Sequence, residues 1–152
     1  MRNVHALLNE YGESHQNRIN KKIHWICVLA IMLSLLGIFW SFPFPFKISP
    51  FINWATALII LSFIYYIFLS WQLALGMLFN SLLMIMILQW LDGLPLPLWQ
   101  IACAVFIVAW IGQFVGHYIE GKRPSFLKDI QFLLIGPVWL LADVYRKFNV
   151  KY

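Results

Sequence analysis

The chain has 152 residues, room for one domain. Hydrophobic residues make up 62% of it and charged residues 11%, against roughly 25% charged in soluble domains. So few charges cannot cover a soluble fold of this size, which leaves lipid as the expected solvent. The net charge of +5 comes from basic residues set beside apolar runs, not from an isolated arm or stripe. That pattern belongs to a membrane face and argues against nucleic acid.

In chain order, the polar first 22 residues read as an amphipathic helix leading into an apolar run too long for a cleaved signal peptide. A spanning helix needs about 20 apolar residues. Residues 23–42 meet that length and end at Pro43 and Pro45, which cannot continue a helix. Residues 51–91 are almost unbroken apolar sequence; as one helix they would reach roughly 60 Å, twice the hydrocarbon thickness. Two spans are therefore expected, 52–69 and 73–91, with a tight turn near Ser70-Trp71-Gln72. After Asp92-Gly93-Leu94-Pro95-Leu96-Pro97 a further span covers 98–117. A last apolar piece, 130–142, is interrupted by Gly136-Pro137 and is too short to span, so it is expected to be re-entrant or interfacial. The expected architecture is a single all-α integral membrane domain over 1–152. It has four transmembrane helices, an amphipathic N-terminal helix and a C-terminal re-entrant or interfacial segment.

Basic residues test the arrangement. With four spans, ten of the eleven lysines and arginines share the side of the termini, and Lys47 alone lies opposite. By the positive-inside rule that side is cytoplasmic. The expected location is a bacterial inner membrane, or the endoplasmic reticulum in a eukaryote, with a multi-pass chain. Cys27 and Cys103 sit in apolar segments and read as small core residues. Trp40, Trp90 and Trp99 are candidate interface anchors.

The same topology places three histidines at one depth. His24 opens the first span, His117 closes the last, and His15 lies in the lead-in on that side. His15 and His24 are nine residues apart, which puts them on opposite faces of a straight helix. For both to face one centre the helix must bend or restart, and Asn20 is a candidate N-cap for the restart. Gln113, His117 and Glu120 share one helical face. A carboxylate beside apolar sequence is costly unless paired or ligated. Three imidazoles and one carboxylate suit iron or zinc, and such sets with open positions suit Fe(II) and oxygen. A lone interfacial histidine more often caps a helix or bonds a headgroup; the trio with Glu120 favours a site. His5 has no such partners and is read as a surface residue.

Two stretches carry a further signal. One is Tyr11-Gly12-Glu13-Ser14-His15-Gln16-Asn17, running into Asn20-Lys21 and His24-Trp25-Ile26-Cys27. The other is Trp110-Ile111-Gly112-Gln113-Phe114-Val115-Gly116-His117, followed by Glu120-Gly121 and Pro124. Together they resemble the family of the fungal 2-hydroxy fatty acid dioxygenase, which acts in phytosphingosine breakdown. Asp143 departs from that pattern, where a Glu is expected. The resemblance implies Fe(II)-dependent α-oxidation of a 2-hydroxy fatty acid by O2, shortening it by one carbon at the cytoplasmic membrane face. It implies His15, His24 and His117 as iron ligands, Glu120 as ligand or support, and Asn20 and Gln113 around them. Lys21, Lys22 or Arg123 would attract the substrate carboxylate.

Rival readings are weaker. Membrane di-iron hydroxylases need about twice as many histidines in clustered boxes. A transporter would carry midplane charges and broken helices. Haem held by His24 and His117, or a non-catalytic membrane protein with a histidine metal site, remain alternatives.

Overall fold

The computed structural model describes residues 3–45, 49, 51–124 and 131–152. Arg2, Lys47 and Lys128 of the charge count, and Ile130 of the last apolar segment, lie outside them. Among the described residues there are six helices and no strands: α1 (Val4–Gly12), α2 (Arg18–Ser41), α3 (Trp54–Leu69), α4 (Trp71–Asp92), α5 (Leu98–Glu120) and α6 (Phe132–Lys147).

Three of them, α2, α4 and α5, are long and apolar enough to cross a membrane, not the four expected. The difference is α3. Asn53 and Thr56 form a capping box that starts it only at Trp54, and Ser70 ends it. Its 16 residues rise about 24 Å, short of the roughly 30 Å of hydrocarbon. The expected turn is there as a single residue: Ser70 is extended, and its Oγ accepts from Leu73 N to cap α4.

The Pro43-Pro45 stop and the 92–97 loop fall as expected. The last apolar segment is continuous where a break was expected, and with 16 residues its helix is still too short to span. It belongs to a helix that runs on to Lys147 and passes through Gly136-Pro137 without interruption. Pro137 sits near the start of α6, so its missing N–H removes one bond, to the Leu133 carbonyl. Phe132, Ile135, Val138, Trp139 and Ala142 of α6 are buried, and α6 packs on α1 and α4.

Helix α1 has the expected one-sided character. Leu7, Leu8 and Tyr11 are buried while Asn9 and Glu10 are exposed. Each leucine so withdrawn from water contributes roughly 1.5–3 kcal/mol, which docks a short helix that would be marginal alone. The dominant seam of the fold is α2 against α5, antiparallel, with the start of one beside the end of the other. Gly112 and Gly116, one turn apart on α5, make that seam close. A Cβ at Gly112 would meet Cys27 Sγ at 2.6 Å, and one at Gly116 would meet Asn20 Oδ1 at 2.5 Å. Small residues at such spacing allow apolar helices to touch along their backbones.

Candidate metal centre

Three elements bring the histidines together. After α1 ends at Gly12 the chain folds back over residues 13–17, and His15 N donates to the Gly12 carbonyl at 3.0 Å. Helix α2 then restarts. Its N-cap is Asn17, whose side chain accepts from Ile19 N at 2.8 Å, and not Asn20 as the spacing suggested. Asn20 instead lies within the first turn, fully buried. This restart swings His15 onto the side that His24 faces, and the end of α5 adds His117.

The three rings form one cluster. His15 lies 4.0 Å from His24 and 4.9 Å from His117 between ring centroids, and His24 lies 5.6 Å from His117. All three side chains are buried, and one ligand nitrogen from each falls within 4.8 Å of the others. His15 Nε2, His24 Nδ1 and His117 Nδ1 are buried without a partner in hydrogen-bond geometry. An unsatisfied buried polar atom costs about 1–3 kcal/mol, so three converging lone pairs are a costly arrangement for a merely structural core. A cation gives them one shared partner, and the donor set fits iron or zinc. The space beside His24 and His117 measures about 50 Å³. That is room for an ion with small ligands.

The orientation of two rings comes from a residue that spacing alone does not single out. The Tyr11 backbone carbonyl accepts from His15 Nδ1 at 2.7 Å, which leaves Nε2 with the lone pair. The Tyr11 hydroxyl meets His24 Nε2 at 2.5 Å, turning Nδ1 inward. The Tyr11 ring stacks on His15 at 4.4 Å and 18°. Burial pushes the Tyr11 phenol up, so it stays neutral. Burial is also the main cause that pushes His15 down to about 4; the neighbouring His117 adds to this, against the opposing Tyr11 carbonyl and Glu120. The ring is therefore neutral, the ligating form, throughout the physiological range. Gly136 makes room for this: a Cβ there would stand 2.7 Å from the Tyr11 hydroxyl oxygen. Trp139 closes the other side, 5.4 Å from His15. The available sequence signal for Tyr11 was its place at the head of the stretch, through His15 to Asn17, that carries the family resemblance.

Glu120 stands apart from the nitrogen cluster. Its Oε1 accepts from Gln16 N at 2.8 Å; its Oε2 accepts from Asn17 N at 2.8 Å and Asn20 Nδ2 at 3.0 Å. The carboxylate thus clamps the start of α2 to the end of α5, where Gly121 terminates the helix with φ 72°. Asn20 also donates to the Ser14 carbonyl at 3.2 Å, tying the His15 loop to the same clamp. Gln113 is buried against His24, its Oε1 outside hydrogen-bond geometry. Lys21 is close enough to His15 to act on its charge, while Arg123 and Lys22 are exposed. Lys122 Nζ donates to the Glu13 carbonyl at 2.6 Å. His5 is exposed on α1, beside Tyr152. Asp143 pairs with Arg146 at 3.5 Å and Lys147 at 3.2 Å along α6.

A family model described as 2-hydroxy-palmitic acid dioxygenase Mpo1-like matches residues 1–148. No curated protein and no solved structure matches.

Proposed function

The chain belongs to the 2-hydroxy-palmitic acid dioxygenase Mpo1-like family, and from that premise we propose that it is a membrane-embedded Fe(II) dioxygenase shortening 2-hydroxy fatty acids by one carbon. The observation that carries this reading is the set of three buried, partnerless ring nitrogens. His15, His24 and His117 would hold the ion. Bound Fe(II) would supply O2 activation and a Lewis acid for the substrate's carboxylate and hydroxyl. The 2-hydroxy acid provides the electrons itself: acid plus O2 balances to the shorter acid, CO2 and water.

The chain's own groups have definable tasks. A ligating His24 Nδ1 requires its Nε2 to carry the proton and donate it to the Tyr11 oxygen, so Tyr11 fixes tautomer and ring plane. The Tyr11 carbonyl does the same for His15. Glu120 acts as a positioning residue, because both its oxygens already accept backbone and amide protons. Burial of the three rings excludes bulk water. Lys21 and Arg123 would draw the substrate carboxylate to the polar end of the bundle, on the cytoplasmic side, while membrane lipid surrounds α2, α4 and α5.

The test is metal analysis of the purified wild type beside His15→Ala, His24→Ala and His117→Ala. The wild type should hold iron and the variants should lose it; equal iron in all four refutes the site. Incubation with 2-hydroxypalmitic acid, Fe(II) and O2 should yield the acid one carbon shorter, and iron-loaded protein giving none refutes the reaction.

A further inference from the structure

Beneath the histidines a second, larger cavity of about 200 Å³ lies between α2, α3, α4, α5 and α6. It borders the pocket beside His24 and His117. Ile31, Met32, Trp110, Leu133 and Pro137 line both spaces, so the two adjoin across side chains of three helices, and a small rotation of Met32 or Trp110 would join them as a throat. From His24 at the upper end to Leu36 at the lower, the path descends α2 by about 18 Å at 1.5 Å per residue.

The walls are chemically plain. Two of the three hydroxyls facing the chamber are already committed inward: Tyr66 donates to the Leu134 carbonyl at 3.0 Å, and Ser81 to the Met77 carbonyl at 2.9 Å. Ser62 is the remaining one. An ordered water needs two to four polar partners, and apart from Ser62, Tyr66, Ser81 and the Trp110 indole the lining side chains are apolar. What fits is an unbranched alkyl chain entering from the metal pocket.

Resting on the function proposed above, we infer that this chamber receives the acyl tail of the 2-hydroxy acid and that Leu58 and Ser62 of α3 limit its length. The head chelates at the histidines and the tail passes the Met32–Trp110 throat. The side chains of α3 at the far wall then set how long a tail fits while the head still reaches the ion. Selection by length is a matter of methylenes buried, so it is graded along a series and lost when the wall moves.

Full-length, iron-loaded protein in lipid nanodiscs tests this with a fluorescent polyene fatty acid, displaced by a series from 2-hydroxyoctanoic through 2-hydroxypalmitic to 2-hydroxydocosanoic acid. Wild type and variants share the same discs, so partitioning of longer tails into lipid cancels. Ser62→Phe should lower the preference for 2-hydroxypalmitic over 2-hydroxyoctanoic acid at least tenfold, and Leu58→Ala should move the optimum to longer tails. A length profile unchanged in both iron-loaded variants overturns the inference. So does a probe that no acid displaces, the result of a chamber filled by a bilayer lipid's tail. If Ser62→Phe does not fold, Leu58→Ala alone decides. A length shift without any shortened acid upholds the chamber and refutes the reaction; shortened acid formed with one common length preference does the reverse.

Discussion

The Tyr11 hydroxyl lies 2.5 Å from Nε2 of His24, while the carbonyl of the same tyrosine takes the Nδ1 proton of His15. One residue of a short surface helix thereby aims two of the three histidines. Tyr11→Phe keeps the ring on His15 and removes only the hydroxyl. Partners that orient a ligating histidine are worth about 10–100-fold in metal affinity, so iron should bind roughly tenfold more weakly to a folded protein. Competition with a chelator of known affinity measures this, and wild-type affinity would count against the assigned role.

Gly136 and Tyr11 should behave as one unit. Gly136→Ala puts a methyl 2.7 Å from the Tyr11 hydroxyl oxygen, too close for it to stay in place, so it should weaken iron binding in the same direction. Residues in contact couple. The double variant Tyr11→Phe, Gly136→Ala should lose much less affinity than the two losses added together. Strict additivity in the same chelator competition would separate the two positions.

For Glu120, Glu120→Gln keeps an acceptor oxygen and an amide of nearly the same shape, whereas Glu120→Ala leaves the N–H groups of Gln16 and Asn17 without their acceptor. The alanine variant should lose about 1–3 kcal/mol of stability and the glutamine variant less, with both still able to take up iron. Thermal unfolding with parallel metal analysis distinguishes this from direct ligation, in which the glutamine variant would lose iron while remaining stable.

Protonation gives a fourth prediction. His15 is pushed down to about 4 in the folded chain by burial, from a usual value near 6.5. Between those two values the unfolded chain binds the proton and the folded chain does not, so stability rises with pH across that window. Metal-free protein should therefore weaken as pH falls from about 6.5 to about 4, by on the order of 3 kcal/mol from this ring, and show no slope from it above that range. His15→Gln should remove that part of the slope. Unfolding midpoints of both proteins across pH 4–8 check it.

How much of this was legible in the sequence depends on distance along the chain. Apolar length located α2, α4 and α5, and charge placement put His15, His24 and His117 at one end, because both signals are sums over many residues. The single-residue turn at Ser70 was readable because an apolar run longer than the bilayer must fold back. What escaped was set by local capping and by contacts between remote elements. The capping box at Asn53 and Thr56 shortens α3 below spanning length. Asn17 takes the cap role that spacing offered to Asn20, because Asn20 is drawn inward by Ser14 and Glu120. Pro137 suggested a break, but near a helix start its lost bond is tolerated. Gly136 and Tyr11 meet only because α6 packs on α1, which no periodicity encodes.

The Glu120 clamp joins backbone groups more than a hundred residues away, and His117 is equally remote from His15. A growing chain thus carries two histidines of the centre early and has no way to complete it until α5 has been made. Closing so long a loop has an entropic cost that local helix formation does not. A site made of all three histidines is therefore a late, whole-chain feature: a nascent or truncated polypeptide ending before α5 carries His15 and His24 but lacks His117, so a metal ion shared by all three would mark the finished molecule.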